Sequence, residues 1–462
     1  MHKNIKNLIG CIVTLCLTVI ILVRLTELME RKDSERKYSD FFAQEEDFDV
    51  LFMGTSHVIN GVYPMELWND YGIVSYNFGG HSSQMATTYW VMENALDYTT
   101  PKVVVIDCFA CTGQWKCSDI FSFVHQSMDA FPLSTTKIRA VNDLLDDENM
   151  DEAIKNGVAR PSDEPRTKIG LLWNYSVYHS RWNEIGYRDF ELGSNIEKGA
   201  EHRIAVSQGN LNRIDKSLTV EGDFVGEDYL RKMIEDCQSR DIEVLLVYLP
   251  YPAGEENQRE SNYIYDIAEE YGVNYINFLD ENVINFQTDL YDKNSHLNPS
   301  GARKVTEYLG RYLTEEYGLN DQRVNPNYSS WNEDYKEYTE LKDSYIKEQE
   351  ELIPYLMLLS KDDLNVTISI QNKELFKNES IMSLLQNLGV DTTQLNEETE
   401  TIIVHNGGEQ AEVINNSTEV SNYDGNGLRI EVVRNGEVVD NVEFIYHVDP
   451  VTADIVIDAV NR

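Results

Sequence analysis

Five short runs, residues 49–53, 74–78, 103–106, 244–249 and 273–278, constrain the fold more than any other feature of the sequence. They are near-continuously apolar and lack the alternation of a strand with one wet face, so each reads as a strand covered on both sides. Helical patterns over 84–96, 227–240 and 263–271 stand before the third, fourth and fifth runs. Strand and helix alternating in this way predict an α/β protein, with a parallel sheet of about five strands and helices on both faces. Sites in such sheets form at the carboxyl ends of the strands. Ser56, Gly79 with Gly80, Cys108 and Pro250 each fall just after a predicted strand and are expected on one rim.

The first rim position carries chemistry. DVLFMGTSH, residues 49–57, runs from a strand into a tight Gly54-Thr55-Ser56 turn. Gly-x-Ser alone is more often a plain turn, but YDKNSHLNPSG, residues 291–301, brings Asp292 and His296 just ahead of a predicted C-terminal helix. A serine hydroxyl becomes a useful nucleophile when an imidazole takes its proton, and an acid must hold that imidazole in the right tautomer. Ser56, His296 and Asp292 are therefore the candidate nucleophile, base and acid of an ester-cleaving or acyl-transferring enzyme. The oxyanion formed on attack needs preorganised donors, each worth roughly 3 kcal/mol when well aimed. The Gly79-Gly80 turn lets backbone amides approach it.

In these residues the chain resembles the SGNH/GDSL hydrolase superfamily, and in particular its membrane-anchored bacterial branch tied to acylation of cell-surface polysaccharides, as in alginate acetylation and teichoic-acid D-alanylation. GTSH stands at the family's first block, NFGGHSSQ (77–84) at the second and DKNSHLNPSG (292–301) at the last, within residues 45–318. The resemblance implies a flavodoxin-like sheet of SGNH type, Ser56 as nucleophile, Gly79 or Gly80 as oxyanion donor, and His296 oriented by Asp292. Two departures stand out. The family's acid lies three residues before the histidine, where this chain has Lys293; Asp292 is one residue further back, and Asp289 is a possible substitute. The third block's asparagine is absent from VVVIDCFACTG (103–113), so the second donor falls to the Ser56 amide or to the side chain of Gln84 or Asn77. An acyl-Ser56 intermediate gives an esterase with water as acceptor and a transferase with a sugar hydroxyl. The implied substrate is an acyl ester or cell-surface polysaccharide, the implied partner a multi-pass membrane acyltransferase, and no cofactor is implied. A non-catalytic accessory or glycan-binding protein of the same fold is the other reading.

From Leu8 to Val23 no residue is charged, and Ile5 and Leu25 extend the apolar segment. That approaches the roughly 20 residues that span hydrocarbon. No small-residue cleavage site follows, so residues 1–25 are expected to be an uncleaved signal anchor. Lys3 and Lys6 precede the segment, and Arg24, Arg31, Lys32, Arg36 and Lys37 follow it. The positive-inside rule alone would keep the latter in the cytoplasm. Translocation of long domains despite nearby charge, together with chemistry on a surface glycan, favours a single-pass cell-membrane protein with its catalytic domain extracellular. A formal charge of -40 excludes nucleic acid as a partner and sets the soluble part against anionic headgroups. Bilayer contact is expected through the N-terminal helix.

Cys11 and Cys16 lie in the apolar segment, and Cys108, Cys111, Cys117 and Cys237 beyond it. Cys108 and Cys111 form C-x-x-C, which fits a redox pair or half a zinc site; no second half follows, so buried thiols and no metal are expected.

Residues 26–46 read as a juxtamembrane linker and 47–318 as the catalytic domain, with a helical insertion over 112–226. The insertion holds His125 and YHSRW (178–182). With His57, Asn77 and Gln84, the residues His125, His179 and Arg181 are candidates for a substrate cleft, since aromatic faces and an arginine suit sugars and carboxylates. His57 itself is read as packing beside the nucleophile. Residues 319–360 read as a helical linker, solvated and packed on one side through Tyr338, Leu341, Tyr345 and Leu352. Residues 361–462 read as a small α/β module, with strands at 366–370 and 402–405, a helix near 381–388 and a hairpin turning at Asn435-Gly436. This module is similar to the small α/β domain of the interleukin-like EMT-inducer type, which implies a spacer or glycan-binding role.

Overall fold

The computed structural model describes residues 2–30, 32–161, 164–190, 195–293, 296–415, 427–448 and 455–462. Arg31, counted among the flanking charges, and Asn294 and Ser295 of the last block lie outside the described residues. Along the chain come α1 (His2–Met29), α2 (Lys32–Ala43), β1 (Val50–Gly54), α3 (Ser56–Gly61), α4 (Pro64–Tyr71), β2 (Ser75–Gly79), α5 (Met85–Ala95) and β3 (Val103–Asp107). Short helices follow, α6 (Phe121–Met128), α7 (Thr135–Leu144), α8 (Glu148–Lys155), α9 (Lys168–Leu172) and α10 (Tyr175–Tyr178). Next are α11 (Val225–Ser239), β4 (Glu243–Tyr248), α12 (Glu255–Tyr271), β5 (Asn274–Asn277) and α13 (Pro299–Tyr317). Beyond them lie α14 (Ser330–Glu348), α15 (Leu352–Leu358), β6 (Asn365–Ile370), α16 (Glu379–Asn387), β7 (Thr399–His405), β8 (Gln410–Asn415), β9 (Gly427–Arg434), β10 (Glu437–Val448) and β11 (Ile455–Asn461).

Strands β1 to β5 form one parallel sheet in the order β2-β1-β3-β4-β5, flanked by helices, as the apolar runs predict. Each strand begins and ends within one residue of its expected bounds. Every residue of β1, β2 and β3 is buried, which is why these runs show no polar alternation. Helices α3 and α4, which no pattern in the sequence marked, fill the connection from β1 to β2. Pro64 starts α4, where its missing N–H costs nothing, and Gly72 ends it at φ 66, where a Cβ would fall 1.9 Å from Asp321 Oδ1.

The chain divides into two compact units, residues 1–56 with 78–199 and 221–245, and residues 57–77 with 200–220 and 246–462. In the first, α5 is buried on every face and packs against α11, α7 and β1. Helix α2, within the stretch read as a linker, buries Tyr38 and Phe41 against Phe78. Helix α1 is exposed from Ile5 to Arg24 and buries Met29 at its end, and over Ile5–Met29 it is long and apolar enough to cross a membrane.

In the second unit, α13 and α14 both pack on α4, and α15 joins α13, α14 and α16. Strands β6 to β11 form an antiparallel sheet ordered β11-β10-β9-β6-β7-β8. The hairpin β9–β10 turns at Asn435 (φ 51) and Gly436 (φ 84), the two left-handed residues that a type I′ turn requires. Tyr355 and Leu356 of α15, Leu384 and Leu385 of α16, and Ile430, Val432, Val442 and Phe444 of the sheet share its apolar core.

This unit also buries a group of charges. Asp362 accepts hydrogen bonds from Lys342 Nζ at 2.9 Å and from Arg434 at 2.9 and 3.0 Å, with Arg303 Nη2 at 3.4 Å. Glu66 Oε1 takes Lys342 at 3.1 Å and faces Arg303 Nε at 3.6 Å, while Asp343 takes Arg434 at 2.9 Å. Burial alone would raise the Asp362 carboxyl, but Lys342, Arg303 and Arg434 hold it well below the usual carboxylate range.

Candidate active site

Strand β1 ends at Gly54, and the Thr55 hydroxyl donates to Asp107 Oδ2 at 3.3 Å, at the end of β3. Ser56 then opens α3. From Phe48 to Trp68 every residue is buried except Ser56, which is part-exposed. The turn thus seals its neighbours and leaves one hydroxyl within reach of solvent.

The last block folds as a small hairpin. Leu290 and Leu297 form an antiparallel bridge, Tyr291 N–H donates to the His296 carbonyl at 2.9 Å, and Asn298 N–H donates to the Asp289 carbonyl at 3.1 Å. Asn298 also caps α13, accepting from Gly301 N–H at 3.2 Å, and Pro299 occupies its first turn. Its amide donates to the Thr288 carbonyl at 2.8 Å, so one side chain fixes both the hairpin and the helix behind it. Near the tip, His296 Nδ1 meets Asp292 Oδ2 at 2.6 Å, and His296 N–H donates to Asp292 Oδ1 at 3.3 Å. A carboxylate on Nδ1 keeps the proton there and makes Nε2 the basic nitrogen. Asp289 is placed differently. It is buried and accepts from the hydroxyls of Thr288 (3.0 Å) and Ser300 (2.9 Å), from Asn285 N–H (2.7 Å) and from Lys304 (2.7 Å). Of the two acids considered, Asp292 meets the imidazole and Asp289 holds the base of the hairpin.

His57, next in sequence to Ser56, is buried with its ring 5.9 Å from that of His296 and 4.9 Å from that of Tyr251. Burial and the nearby His296 lower its pKa to about 3, against an opposing pull from Asp292. It is a neutral ring at ordinary pH. Tyr251, whose hydroxyl lies 3.4 Å from that of Tyr248, was not singled out from the sequence; its place just past β4, in YLPYP, is the signal that marks it.

Of the expected oxyanion donors, the Gly80 amide and the Asn77 side chain are arranged otherwise than the sequence suggests. Gly80 N–H donates to the Gly54 carbonyl at 3.0 Å, extending the strand ladder by one bond, and so does not point into an open site. The Gly79 carbonyl accepts from Lys37 Nζ, a residue of the supposed linker. Asn77 is wholly buried and gives its amide to the carbonyls of Val58 (2.7 Å) and Val62 (2.9 Å), bracing α3 from below and leaving no cleft role. Gln84 stays part-exposed at the start of α5, with Nε2 3.4 Å from the Ser82 carbonyl.

Three candidates from the insertion lie elsewhere. His125 opens on no cleft: it is sealed in α6 with Nδ1 on Asp129 at 2.9 Å. His179 is exposed and bonds back to the preceding helix α10 at the Ser176 carbonyl (3.1 Å). Arg181 donates to the Met29 carbonyl at 2.8 Å and to that of Glu30, because the end of a helix presents unsatisfied acceptors that a guanidinium fits. Cys108 and Cys111 are buried thiols in a 3₁₀ turn after β3.

Together, fold and site define an α/β protein with a part-exposed serine after its first strand and an acid-oriented histidine ahead of a C-terminal helix. No family model and no curated protein matches the chain. Among solved structures it is similar to one described as a lipolytic protein of the G-D-S-L family from Desulfitobacterium hafniense DCB-2, at 13% identity, a TM-score of 0.28, and coverage of 57% of this chain and 97% of that one. At that level of likeness, the chemistry rests on the geometry of this chain.

Proposed function

We propose that the chain is a membrane-anchored, SGNH-like serine esterase or O-acyltransferase that handles acyl esters, above all acetyl esters, of a cell-surface polysaccharide. The observation that carries this reading is the 2.6 Å bond that orients His296 on Asp292. In this reading Ser56 Oγ attacks the ester carbonyl while His296 Nε2 takes its proton. The alkoxide then leaves with that proton as the C–O bond breaks, giving acyl-Ser56. Water or a sugar hydroxyl attacks next and yields its proton to His296, which passes it to the Ser56 oxygen as the acyl–serine bond breaks. Helix α1 holds the catalytic part outside the cell, and a multi-pass membrane acyltransferase is the partner that would supply acyl groups. Hydrolysis of a small acetyl ester by the full chain tests the enzyme: Ser56→Ala is expected to abolish turnover, and equal rates in the two proteins would sink the proposal.

A second reading has its own observation. The Gly80 amide is engaged with Gly54, which removes one of the expected oxyanion donors and favours a non-catalytic accessory that binds glycan. That reading expects glycan binding without turnover, unchanged in Ser56→Ala.

A further inference from the structure

Helix α1 is gripped where its apolar stretch ends. Trp173 Nε1 donates to Thr26 Oγ1 at 3.2 Å, and Asn174 Nδ2 to Glu30 Oε2 at 3.3 Å. Arg181 holds the last carbonyls of the helix, and Asp189 steadies the guanidinium at 2.9 Å. Around this grip the same segment exposes Ile169, Trp173, Trp182, Tyr187 and Phe190. Residues 168–190 carry six aromatic rings, far above the 10% of the whole chain. They also carry three cations, Lys168, Arg181 and Arg188, against two carboxylates, Glu184 and Asp189, in a protein of net charge -40.

We propose that residues 168–190 form an aromatic foot that lies in the bilayer interface beside the exit of α1. The proposal rests on the reading that α1 crosses a bilayer, and depth supports it. The uncharged stretch ends at Val23. At about 1.5 Å per residue, Thr26 and Glu30 stand about 5 and 10 Å beyond it. The headgroup layer on either side of a roughly 30 Å core is about 5 to 8 Å deep. A ring bonded to Thr26 is then at headgroup level, where tryptophan and tyrosine turn an apolar body to the acyl chains and a polar tip to water. An exposed aromatic patch of this kind is a liability in water and is covered when laid against lipid. The nearly balanced charge of the segment spares it the repulsion that the rest of this acidic surface meets at anionic headgroups. Continuity with the end of α1 favours lipid over a soluble partner.

The test uses the full chain in phosphatidylcholine vesicles, with and without lipids brominated high on the acyl chains, reading tryptophan emission. The chain has six tryptophans, none in α1, and Trp68, Trp90 and Trp331 are buried. Brominated lipid is expected to quench the wild-type protein, and Trp173→Phe with Trp182→Phe is expected to lose most of that quenching with its circular dichroism unchanged. If the chain floats with vesicles at high salt but quenching is absent, or equal in the two proteins, the foot is overturned and the anchor stands. If the chain does not float, the anchor fails and the foot with it. A photo-crosslinker at position 182 that captures a discrete membrane protein in place of lipid would also overturn the proposal.

Discussion

Two histidine–aspartate pairs, each four residues apart, sit in this chain and differ in everything but their chemistry. His296 meets Asp292 at 2.6 Å with side chains 25% and 32% exposed, whereas His125 meets Asp129 at 2.9 Å with side chains 0% and 2% exposed. The first pair rides a hairpin whose base is fixed by Asp289 and Asn298. The second is closed within α6 and its C-terminal cap, with the rings of Phe121 and Tyr178 edge-on to the imidazole. An acid on Nδ1 orients either ring equally well. Pairing makes a base possible; exposure makes it usable, because a general base must reach the proton it takes.

Exchanging each acid for its amide tests that contrast. Asp292→Asn is expected to lower kcat for ester hydrolysis by about 10⁴, as a wrong tautomer does in serine hydrolases, with a melting temperature near that of the wild type. A drop of only a few-fold would place Asp292 outside the chemistry. The next effect in size concerns buried charge on a larger scale. Asp362→Ala strips Lys342, Arg303 and Arg434 of their shared acid and is expected to cost about 3 to 5 kcal/mol in denaturant unfolding. Asp129→Asn does the same to the single buried pair, at about 1 to 3 kcal/mol, with activity per folded molecule unchanged. Loss of activity without loss of stability in that variant would erase the distinction between the two pairs.

His57 adds the smallest and most specific effect, since it is buried like His125 yet lies beside His296. Its pKa is about 3 in the folded protein, against about 6.5 for a free histidine. Between those values the unfolded chain binds a proton that the folded one does not, so stability is present above the unfolded value and is lost as pH falls. From pH 7 to 5.5 this amounts to about 1 kcal/mol. Unfolding at the two pH values is expected to show that loss in the wild type and a flatter response in His57→Asn.

How much of this was legible in the sequence follows from how local each cause is. The strands were readable because burial on both faces writes an unbroken apolar run, as in VLFMG and VVVID. The Asn435-Gly436 hairpin was readable because left-handed backbone selects its residues. The pairing of His296 with an acid of its own block was readable too, although choosing Asp292 over Asp289 took the hairpin itself. What stayed hidden depends on distant partners. In α14, spacing favoured Tyr338, Leu341 and Tyr345, but the buried face runs through Tyr338, Lys342 and Ile346. Lys342 is inside because Asp362 and Glu66, 20 and 276 residues away, meet it there. Arg181 looked suited to sugar carboxylates, and the carbonyl it binds lies 152 residues earlier.

The nucleophile is tested most directly by covalent capture. Incubating the full chain with a fluorophosphonate and measuring intact mass and peptides is expected to give one adduct on Ser56, absent in Ser56→Ala and strongly reduced in His296→Ala. An unmodified wild-type protein, or an equal adduct in Ser56→Ala, would contradict the assignment of Ser56.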